Sequence, residues 1–378
     1  MSLKVLIAPD KFKGTLTAAL AARAIARGWR AGRPRDAVEL LPVTDGGDGF
    51  GGVMSSLLGA RARIITTVDA AHRRCRSIWW WEQKTKTAII ESANVIGLAQ
   101  LPPGKFHPFE LDTFGLGAVI RAAAAAGARR CWIGIGGSAT NDGGFGVARA
   151  LGWRFLDRAG KAIERWTDLK GLADVRPPLR AGWFEELIVA VDVQNPLLGP
   201  RGCTRIYGPQ KGLKPRDFPA AEKCLRSLAE VVEMGNATDK PGDGAAGGLG
   251  FGLRSFAGAR LEPGFELLAH RAKLERRLRW ADLVVTGEGA IDASTLMGKG
   301  VGQIAARCWK LEIPCLGLAG TLAAGRERKR KYFARLYGLT DLTSAAQAKK
   351  RAAFWLERLA GQAALEWPAG KPPRRATG

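Results

Sequence analysis

The sequence predicts an α/β protein with two domains, and three observations support this. First, the apolar runs Lys4–Asp10, Ala37–Val43 and Ala281–Thr286 are typical of buried strands. Second, a helical pattern from Leu16 to Trp29 joins the first two runs, which gives a strand–helix–strand unit. Third, a length of 378 residues corresponds to about two domains at roughly 150 residues each. Because strand patterns of this kind occur at both ends of the chain, we expect a discontinuous, doubly wound domain, flavodoxin-like or Rossmann-like, with a second α/β domain inserted.

The predicted domain boundaries follow from a change of pattern along the chain. We expect residues 1–60 and 275–378 to form the discontinuous domain and residues 61–274 to form the inserted α/β domain. Three segments early in the insert alternate like antiparallel strands, and alternating helix and strand patterns follow them. The predicted elements of the insert are strands Ile64–Val68, Arg76–Glu82 and Thr87–Glu91, helix Gly115–Ala126 with Gly127 as its cap, and strands Cys131–Ile135 and Leu187–Val193. Those of the C-terminal end are helix Gly302–Lys310, strands Pro314–Gly320 and Ala334–Leu339, helix Ser344–Leu365 and a tail from Pro368.

The composition is that of a globular protein, with 46% hydrophobic and 25% charged residues. There is no run of 18 apolar residues, and the first residues read directly into a strand. We therefore predict a cytoplasmic protein with no membrane span and no signal peptide. The six cysteines form no C-x-x-C pair, and there are only three histidines. We expect reduced thiols and neither a zinc site nor a disulfide framework.

The net charge of +23 arises from 58 basic and 35 acidic residues. A chain this basic can bind nucleic acid, an acidic surface or small anions. The excess is weighted toward the C-terminal end, since residues 321–378 hold 13 basic and 4 acidic residues. The charge alone leaves these classes of partner open.

Five loops place glycines beside polar or acidic residues at predicted strand ends, where open α/β sheets bind ligands. Each loop by itself is more typical of a tight turn than of a ligand site. Together they favour a ligand site. The loops are Ala8–Gly14, Thr44–Gly49, Gly136–Gly144, Val191–Pro196 and Thr286–Asp292.

The residue types in these loops suit phosphoryl transfer. Glycines expose backbone N–H groups to phosphate oxygens, and Ser138, Thr140 and Asn141 add side-chain donors. Carboxylates suit Mg²⁺, and one of them can accept the proton of an attacking hydroxyl. Lysines beside glycines can neutralise phosphate. No standard P-loop is present, because Gly298-Lys299-Gly300 lacks the upstream glycine and the hydroxyl.

The ordered set of loops, from residue 8 to about residue 320, resembles the bacterial glycerate kinase family of the type that lacks a P-loop. The match is specific because it consists of many motifs in one order. The motifs are Ala8-Pro9-Asp10-Lys11-Phe12-Lys13-Gly14, Pro42–Gly49, Gly136–Gly144, Asp192–Pro200, Tyr207–Gly212, Gly244–Gly250 and Thr286–Gly289.

This resemblance implies ATP-dependent phosphorylation of glycerate with Mg²⁺, and we expect D-glycerate to give 2-phosphoglycerate in a cleft between two domains. The expected partners are the small molecules ATP and glycerate. We expect no membrane partner and do not favour nucleic acid as a partner. Homo-oligomerisation is left open. We expect Asp192 to be the catalytic base, with Asp292 as its competitor and Lys13 as a catalytic cation. The predicted metal ligands are Asp45, Asp48 and Glu288, and the predicted phosphate- or substrate-binding residues are Asp10, Gly136, Gly137, Ser138, Thr140, Asn141, Asn195, Lys211 and Lys299.

Some positions depart from the family pattern. Ala290 stands where the family usually has Arg, Asn94 where it often has Glu, and Leu116 where it usually has Thr. Because Ala290 removes a cation near an anion-binding site, a kinase that acts on another small hydroxy acid is the first alternative function. The second alternative is a basic polyanion- or nucleic-acid-binding protein on a decayed kinase fold.

Overall fold

The computed structural model describes residues 2–179, 182–233, 240–292, 295, 300–322 and 331–368. The chain divides into two compact units. Unit 1 consists of Met1–Asp45 and Phe265–Gly378, and unit 2 consists of Gly46–Gly264. The chain passes from one unit to the other inside the predicted loop Thr44–Gly49.

Helices and strands alternate along much of the chain, which confirms the predicted α/β class. The first part of unit 1 contains β1 (Lys4–Ile7), α1 (Ala18–Gly32) and β2 (Ala37–Leu40). Unit 2 contains α2 (Phe50–Leu58), β3 (Arg61–Val68), β4 (Arg74–Glu82), β5 (Thr87–Glu91), α3 (Ala93–Ile96), α4 (Phe114–Ala125), β6 (Arg130–Gly134), α5 (Phe145–Ala150), β7 (Arg154–Asp157), β8 (Leu172–Arg176), β9 (Glu186–Val191), α6 (Cys203–Lys211), α7 (Phe218–Val232), α8 (Ala245–Ala257) and β10 (Arg260–Pro263). The second part of unit 1 contains α9 (Gly264–Arg271, whose first residue belongs to unit 2), α10 (Leu274–Trp280), β11 (Leu283–Ile291), α11 (Gly300–Lys310), β12 (Cys315–Leu322), β13 (Arg335–Gly338), α12 (Ala345–Lys350) and α13 (Ala352–Glu366).

Unit 1 contains a five-stranded parallel sheet whose order is β13-β12-β11-β1-β2. Strands from both ends of the chain therefore pair in one sheet, with Val5 opposite Leu283. If the strands are numbered 1 to 5 within unit 1 and read from the β2 edge, the order is 2-1-3-4-5, which is that of flavodoxin-like folds. Such sheets bind ligands beyond the carboxyl ends of the two strands at which the winding direction reverses. In this unit those strands are β1 and β11.

Helices α1 and α13 cover one face of this sheet and pack closely on each other. The side chain of Thr17 caps α1 by accepting a hydrogen bond from the Leu20 N–H. Alanines and Trp29 form the buried face of α1. The backbones approach so closely at Gly28 that a Cβ there would lie 1.9 Å from the carbonyl oxygen of Glu357. A glycine is therefore required at the crossing.

Unit 2 contains a six-stranded mixed sheet whose order is β10-β9-β6-β5-β4-β3. Strands β5, β6, β9 and β10 are parallel to each other, while β3, β4 and β5 form an antiparallel meander, as their alternating patterns predict. The parallel arrangement brings the carboxyl ends of β5, β6 and β9 to one edge of the sheet. Two predicted site loops, Gly136–Gly144 and Val191–Pro196, follow β6 and β9 at that edge.

The structure refines several predicted elements. The predicted helix Ser344–Leu365 consists of two helices, because Arg351 between them has φ −128° and ψ 45°. The predicted second strand ends at Leu40, before Pro42. Gly127 adopts φ +85° just after α4, as its predicted capping role requires. The tail from residue 369 onward lies outside the described residues. No helix in the described ranges is both long and apolar enough to span a bilayer.

Candidate active site

In unit 1, the predicted site residues lie at the carboxyl ends of β1 and β11. The Asp10 N–H donates a hydrogen bond to the Gly287 carbonyl at 2.8 Å. The Thr286 hydroxyl donates to the Ala8 carbonyl at 2.6 Å. These bonds continue the pairing of the two strands beyond the sheet. They hold Asp10 beside the segment that carries Glu288, at the point where a flavodoxin-like sheet binds ligands.

Three carboxylates concentrate negative charge at this point. Burial, and after it the neighbouring negative charges of Asp45 and Glu288, raise the pKa of Asp10 to about 7. Lys11 opposes them: its N–H donates to Asp10 Oδ1 at 2.6 Å, and its Nζ lies 4.0 Å from Asp45 Oδ1. The three carboxylates offer oxygen atoms, which a hard metal ion prefers as ligands. A cation bound here would favour the ionised form of Asp10.

Glu288 and Asp292 are linked through Thr295. The Thr295 hydroxyl donates to Glu288 Oε1 at 2.8 Å, and it accepts from the Asp292 N–H at 3.1 Å. Lys13 is exposed on the loop after β1, and a Cβ at Gly289 would lie 3.1 Å from its backbone nitrogen. The loop after β1 therefore runs against the end of β11. The predicted Lys299 lies outside the described residues.

In unit 2, two glycine-rich segments touch through their backbones. A Cβ at Gly136 would lie 2.5 Å from the Cα of Gly47. Gly137 has φ +74°, and a Cβ there would lie 2.1 Å from Asp48 Oδ1. Only glycine fits both the conformation and the space at this position. The structure therefore brings the predicted residues Gly136, Gly137 and Asp48 together.

Glu91, which was not among the predicted site residues, holds one of these segments in place. Its Oε1 accepts a hydrogen bond from the Gly49 N–H at 2.8 Å, and its Oε2 accepts from the Gly51 N–H at 2.9 Å. The carboxylate thus binds the N-terminus of α2, where negative charge is favoured. Its position gave a usable signal, because it is an acidic residue at the end of a wholly buried strand.

The loop after β6 uses its own side chains to order itself. The Ser138 and Thr140 hydroxyl oxygens lie 2.9 Å apart, and the Thr140 N–H donates to Ser138 Oγ at 3.1 Å. Asn141 Nδ2 donates to Thr204 Oγ1 at 3.0 Å. These three predicted phosphate-binding side chains are buried, whereas Gly137 at the start of the loop is exposed. The glycine end of the loop is therefore the part that a ligand can approach directly.

Lys211 lies beneath this loop, on α6. It is only 6% exposed, and its Nζ donates to the Thr140 carbonyl at 2.6 Å. Burial lowers the pKa of Lys211 to about 8, although the charges of Cys203 and Asp142 act in the opposite direction. The predicted phosphate-neutralising lysine thus places its charge behind the loop backbone.

The loop after β9 carries Asp192 and Asn195. Asp192 is exposed at the end of the strand. Asn195 Oδ1 accepts from the Tyr207 hydroxyl at 2.5 Å, and its Nδ2 donates to the Arg201 carbonyl at 2.9 Å. Burial, and then the charge of Asp192, raises the pKa of Tyr207 to about 12, so the phenol keeps its proton near neutral pH. Tyr207 was not among the predicted site residues.

The described site residues therefore form two groups, one in each unit. Among the residues that the structure describes, no group of three or more His, Cys, Asp and Glu side chains is placed to hold a metal ion. Mg²⁺ commonly takes only one or two protein carboxylates together with phosphate oxygens. The first group is Asp10, Lys13, Asp45, Glu288 and Asp292; the second is Asp48, Gly136, Gly137, Ser138, Thr140, Asn141, Asp192, Asn195 and Lys211.

The positions that depart from the family pattern differ in their surroundings. Leu116 is fully buried in the hydrophobic core of unit 2. Asn94 Nδ2 donates to the Ile78 carbonyl at 3.4 Å, and Ala290 is exposed on β11. Leu116 therefore contributes to packing, and Ala290 is the departure closest in sequence to Glu288 and Asp292.

Glycine-rich backbone, lysines and carboxylates at the carboxyl ends of parallel strands define an α/β phosphotransferase. The comparisons with known proteins agree with this class. Residues 5–367 match the Glycerate kinase family, and the chain belongs to that family. It is an enzyme of the kinase class.

Individual relatives match over most of their lengths. The chain is 37% identical to "Glycerate kinase" of Bacillus subtilis (strain 168), with 95% of this chain and 96% of the relative covered. It is 36% identical to "Glycerate 2-kinase" of Escherichia coli (strain K12), with 85% and 86% covered. The crystal structure assigned to glycerate kinase 2 of Salmonella typhimurium LT2 matches with a TM-score of 0.82 and 33% identity, covering 96% of this chain and 98% of the other.

Proposed function

We propose that this enzyme transfers the γ-phosphoryl group of ATP to D-glycerate and forms 2-phosphoglycerate, with Mg²⁺ as cofactor. The observation that carries the proposal is the family match over residues 5–367, together with relatives named glycerate kinase and glycerate 2-kinase. The loops at the strand ends supply chemistry that suits this reaction. The proposed cellular location is the cytoplasm.

Each of the two groups of site residues has chemistry that suits part of the proposed reaction. Bound ATP and Mg²⁺ would supply the phosphoryl group and neutralise its developing charge. Asp45, Glu288 and Asp48 are the proposed carboxylate ligands of the metal. Asp10 adds negative charge beside the first two.

The backbone at Gly136 and Gly137 is the proposed phosphate cradle. Both residues are accessible, and at position 137 only glycine has room beside Asp48. Ser138, Thr140 and Asn141 order the loop behind the cradle, and Lys211 adds positive charge from beneath it. Lys13, exposed in unit 1, is the proposed mobile cation for phosphate.

Asp192 is the proposed general base for the glycerate hydroxyl. It is exposed at the carboxyl end of β9, so a substrate hydroxyl can reach it. Asn195, three residues later, is held by two hydrogen bonds and is proposed to contact the substrate. Asp292 is the competing candidate for the base.

We predict that Asp192→Asn lowers kcat by about 10²–10⁴-fold, because the amide cannot accept the hydroxyl proton. The measurement is release of ADP from Mg²⁺·ATP in the presence of D-glycerate. Asp292→Asn is expected to retain kcat within a few-fold. Asp174→Asn is the matched control, since Asp174 is an exposed aspartate on β8 that pairs with Arg176.

Near-normal turnover of the Asp192 variant together with strong loss in the Asp292 variant would transfer the role of base to Asp292. The absence of ADP release from the wild-type enzyme with D-glycerate and other small hydroxy acids would contradict the proposed function.

A further inference from the structure

Helix α6 presents polar side chains to the two loops of the site in unit 2. Thr204, Tyr207 and Lys211 are separated by three and four residues, so they share one face of the helix. The first loop, Gly136–Gly144, contacts Thr204 and Lys211. The second loop, Asp192–Pro196, contacts Tyr207. A single helix thus bonds to both loops.

Three hydrogen bonds, one of them from Tyr207, define the orientation of Asn195. The phenol donates to Asn195 Oδ1 at 2.5 Å, while Asn195 Nδ2 donates to the Arg201 carbonyl at 2.9 Å. The Asn195 carbonyl also accepts from the Gly244 N–H at 2.9 Å. Both ends of the side-chain amide and its backbone are therefore fixed. These hydrogen bonds hold the backbone at Asn195, three residues after Asp192, in one conformation.

Thr204 has the corresponding role for Asn141. Both residues are fully buried, and the Asn141 amide nitrogen donates to Thr204 Oγ1 at 3.0 Å. Within the described part of the chain, Asn141 Oδ1 is buried without a hydrogen-bond partner. Because Asn141 Nδ2 faces Thr204, Asn141 Oδ1 faces the opposite direction, and this oxygen is a hydrogen-bond acceptor. Such a group gains a hydrogen bond only from a donor such as a hydroxyl or an ordered water, because phosphate oxygens are themselves acceptors.

We propose that Thr204 and Tyr207 are positioning residues for the phosphoryl transfer, acting through Asn141 and Asn195 to hold the two loops in register on one face of α6. The inference rests on the proposed function. Thr204 is fully buried, so it acts through the loop and does not itself bind substrate. Misplacement of a reacting group by about 1 Å can cost about 10²-fold in rate, which is the expected source of the effect.

The test compares Tyr207→Phe and Thr204→Val with the wild-type enzyme. Each variant removes one hydroxyl and keeps the shape of the side chain. We expect kcat for glycerate phosphorylation to fall about 10- to 100-fold in each, while the KM for ATP changes less than about threefold. Thr204→Ser restores the hydroxyl and is expected to restore kcat.

The matched control is Tyr337→Phe, which also removes a phenol hydroxyl. The Tyr337 hydroxyl donates to Glu366 in unit 1, far along the chain from both loops. This variant is expected to keep kcat. Hydrogen exchange provides a readout independent of activity: Tyr207→Phe should speed amide exchange in residues 192–201, and Thr204→Val should speed it in residues 136–144.

An active wild-type enzyme whose Tyr207→Phe and Thr204→Val variants keep kcat within twofold would overturn the inference and leave the proposed function intact. If the wild type does not phosphorylate glycerate, the proposed function fails on its own. Hydrogen exchange then decides about the positioning role, and unchanged exchange in both loops would overturn it. Should Thr204→Val not fold, the milder Tyr207→Phe variant decides by the same criteria.

Discussion

Asp10 is a buried carboxyl group beside two of the proposed metal ligands. It follows β1, is 7% exposed, and has Asp45 and Glu288 as charged neighbours. Burial and these like charges favour its protonated form. The fold therefore places an acid with a pKa of about 7 at the point where flavodoxin-like sheets bind ligands.

This environment predicts a pH dependence of stability. The pKa of Asp10 is about 7 in the folded protein and 3.8 in its ordinary state. Its contribution to stability is therefore present below about pH 3.8 and is lost as the pH rises through 7. We expect the free energy of unfolding of Asp10→Asn to rise relative to that of the wild type, by up to ~4 kcal/mol, as the pH increases over this interval. Urea unfolding in metal-free buffer measures it.

A difference between the two proteins that stays constant with pH would show that Asp10 ionises as an ordinary aspartate. The control is Asp174→Asn, which replaces an exposed aspartate of β8.

The sequence indicated which residue types line the site but not which of their polar atoms already form hydrogen bonds within the protein. Ser138, Thr140 and Lys211 were predicted from their types and their place after a strand. The structure shows that they bond to each other and to backbone. Glu91 was missed because its role depends on N–H groups some 40 residues away, at Gly49 and Gly51. The local pattern showed an acidic residue at the end of a buried strand but not the N–H groups that it binds.

At the scale of elements, the contact of α1 with α13 decides the packing of one face of unit 1. Gly28 is in contact with the backbone of Glu357, where a Cβ would lie 1.9 Å from the carbonyl oxygen. We expect Gly28→Ala to destabilise the protein by about 2–3 kcal/mol, because the helices must separate to admit a methyl group. Thermal or urea unfolding measures the change.

Gly52→Ala is the matched control. Gly52 is an exposed residue of α2, and a Cβ there would have no atom within 4 Å. This substitution should be stabilising by about 0.5–1 kcal/mol, because alanine loses less conformational freedom in a helix. If Gly28→Ala behaved like the control, the close crossing of the two helices would be wrong.

The strands of the two large sheets could largely be predicted from the sequence, whereas most helices of unit 2 were not predicted. The apolar runs at β1, β6, β9 and β11 stand out because strands buried on both faces have few polar residues. The order of strands in each sheet could not be read from these runs, because pairing joins segments far apart in the chain. The break at Arg351 was missed because the apolar pattern continues across it.

At the scale of the whole molecule, the net charge of +23 is the feature that the site explains least. Some arginines have local acidic partners: Arg254 bonds Glu233 and Asp243, and Arg307 bonds Glu266. These pairs fix secondary-structure elements to one another. Each such pair is neutral, so these pairs account for none of the net charge of +23.

The central claim is that this chain phosphorylates D-glycerate, and phosphorus NMR of one turnover with Mg²⁺·ATP tests it most directly. The 2-phosphate is attached to a carbon that bears one hydrogen, so we predict a new phosphomonoester signal split into a doublet, together with ADP. A triplet, from phosphate on the CH₂ carbon, would contradict the 2-position. The absence of any new phosphomonoester signal would contradict glycerate phosphorylation itself.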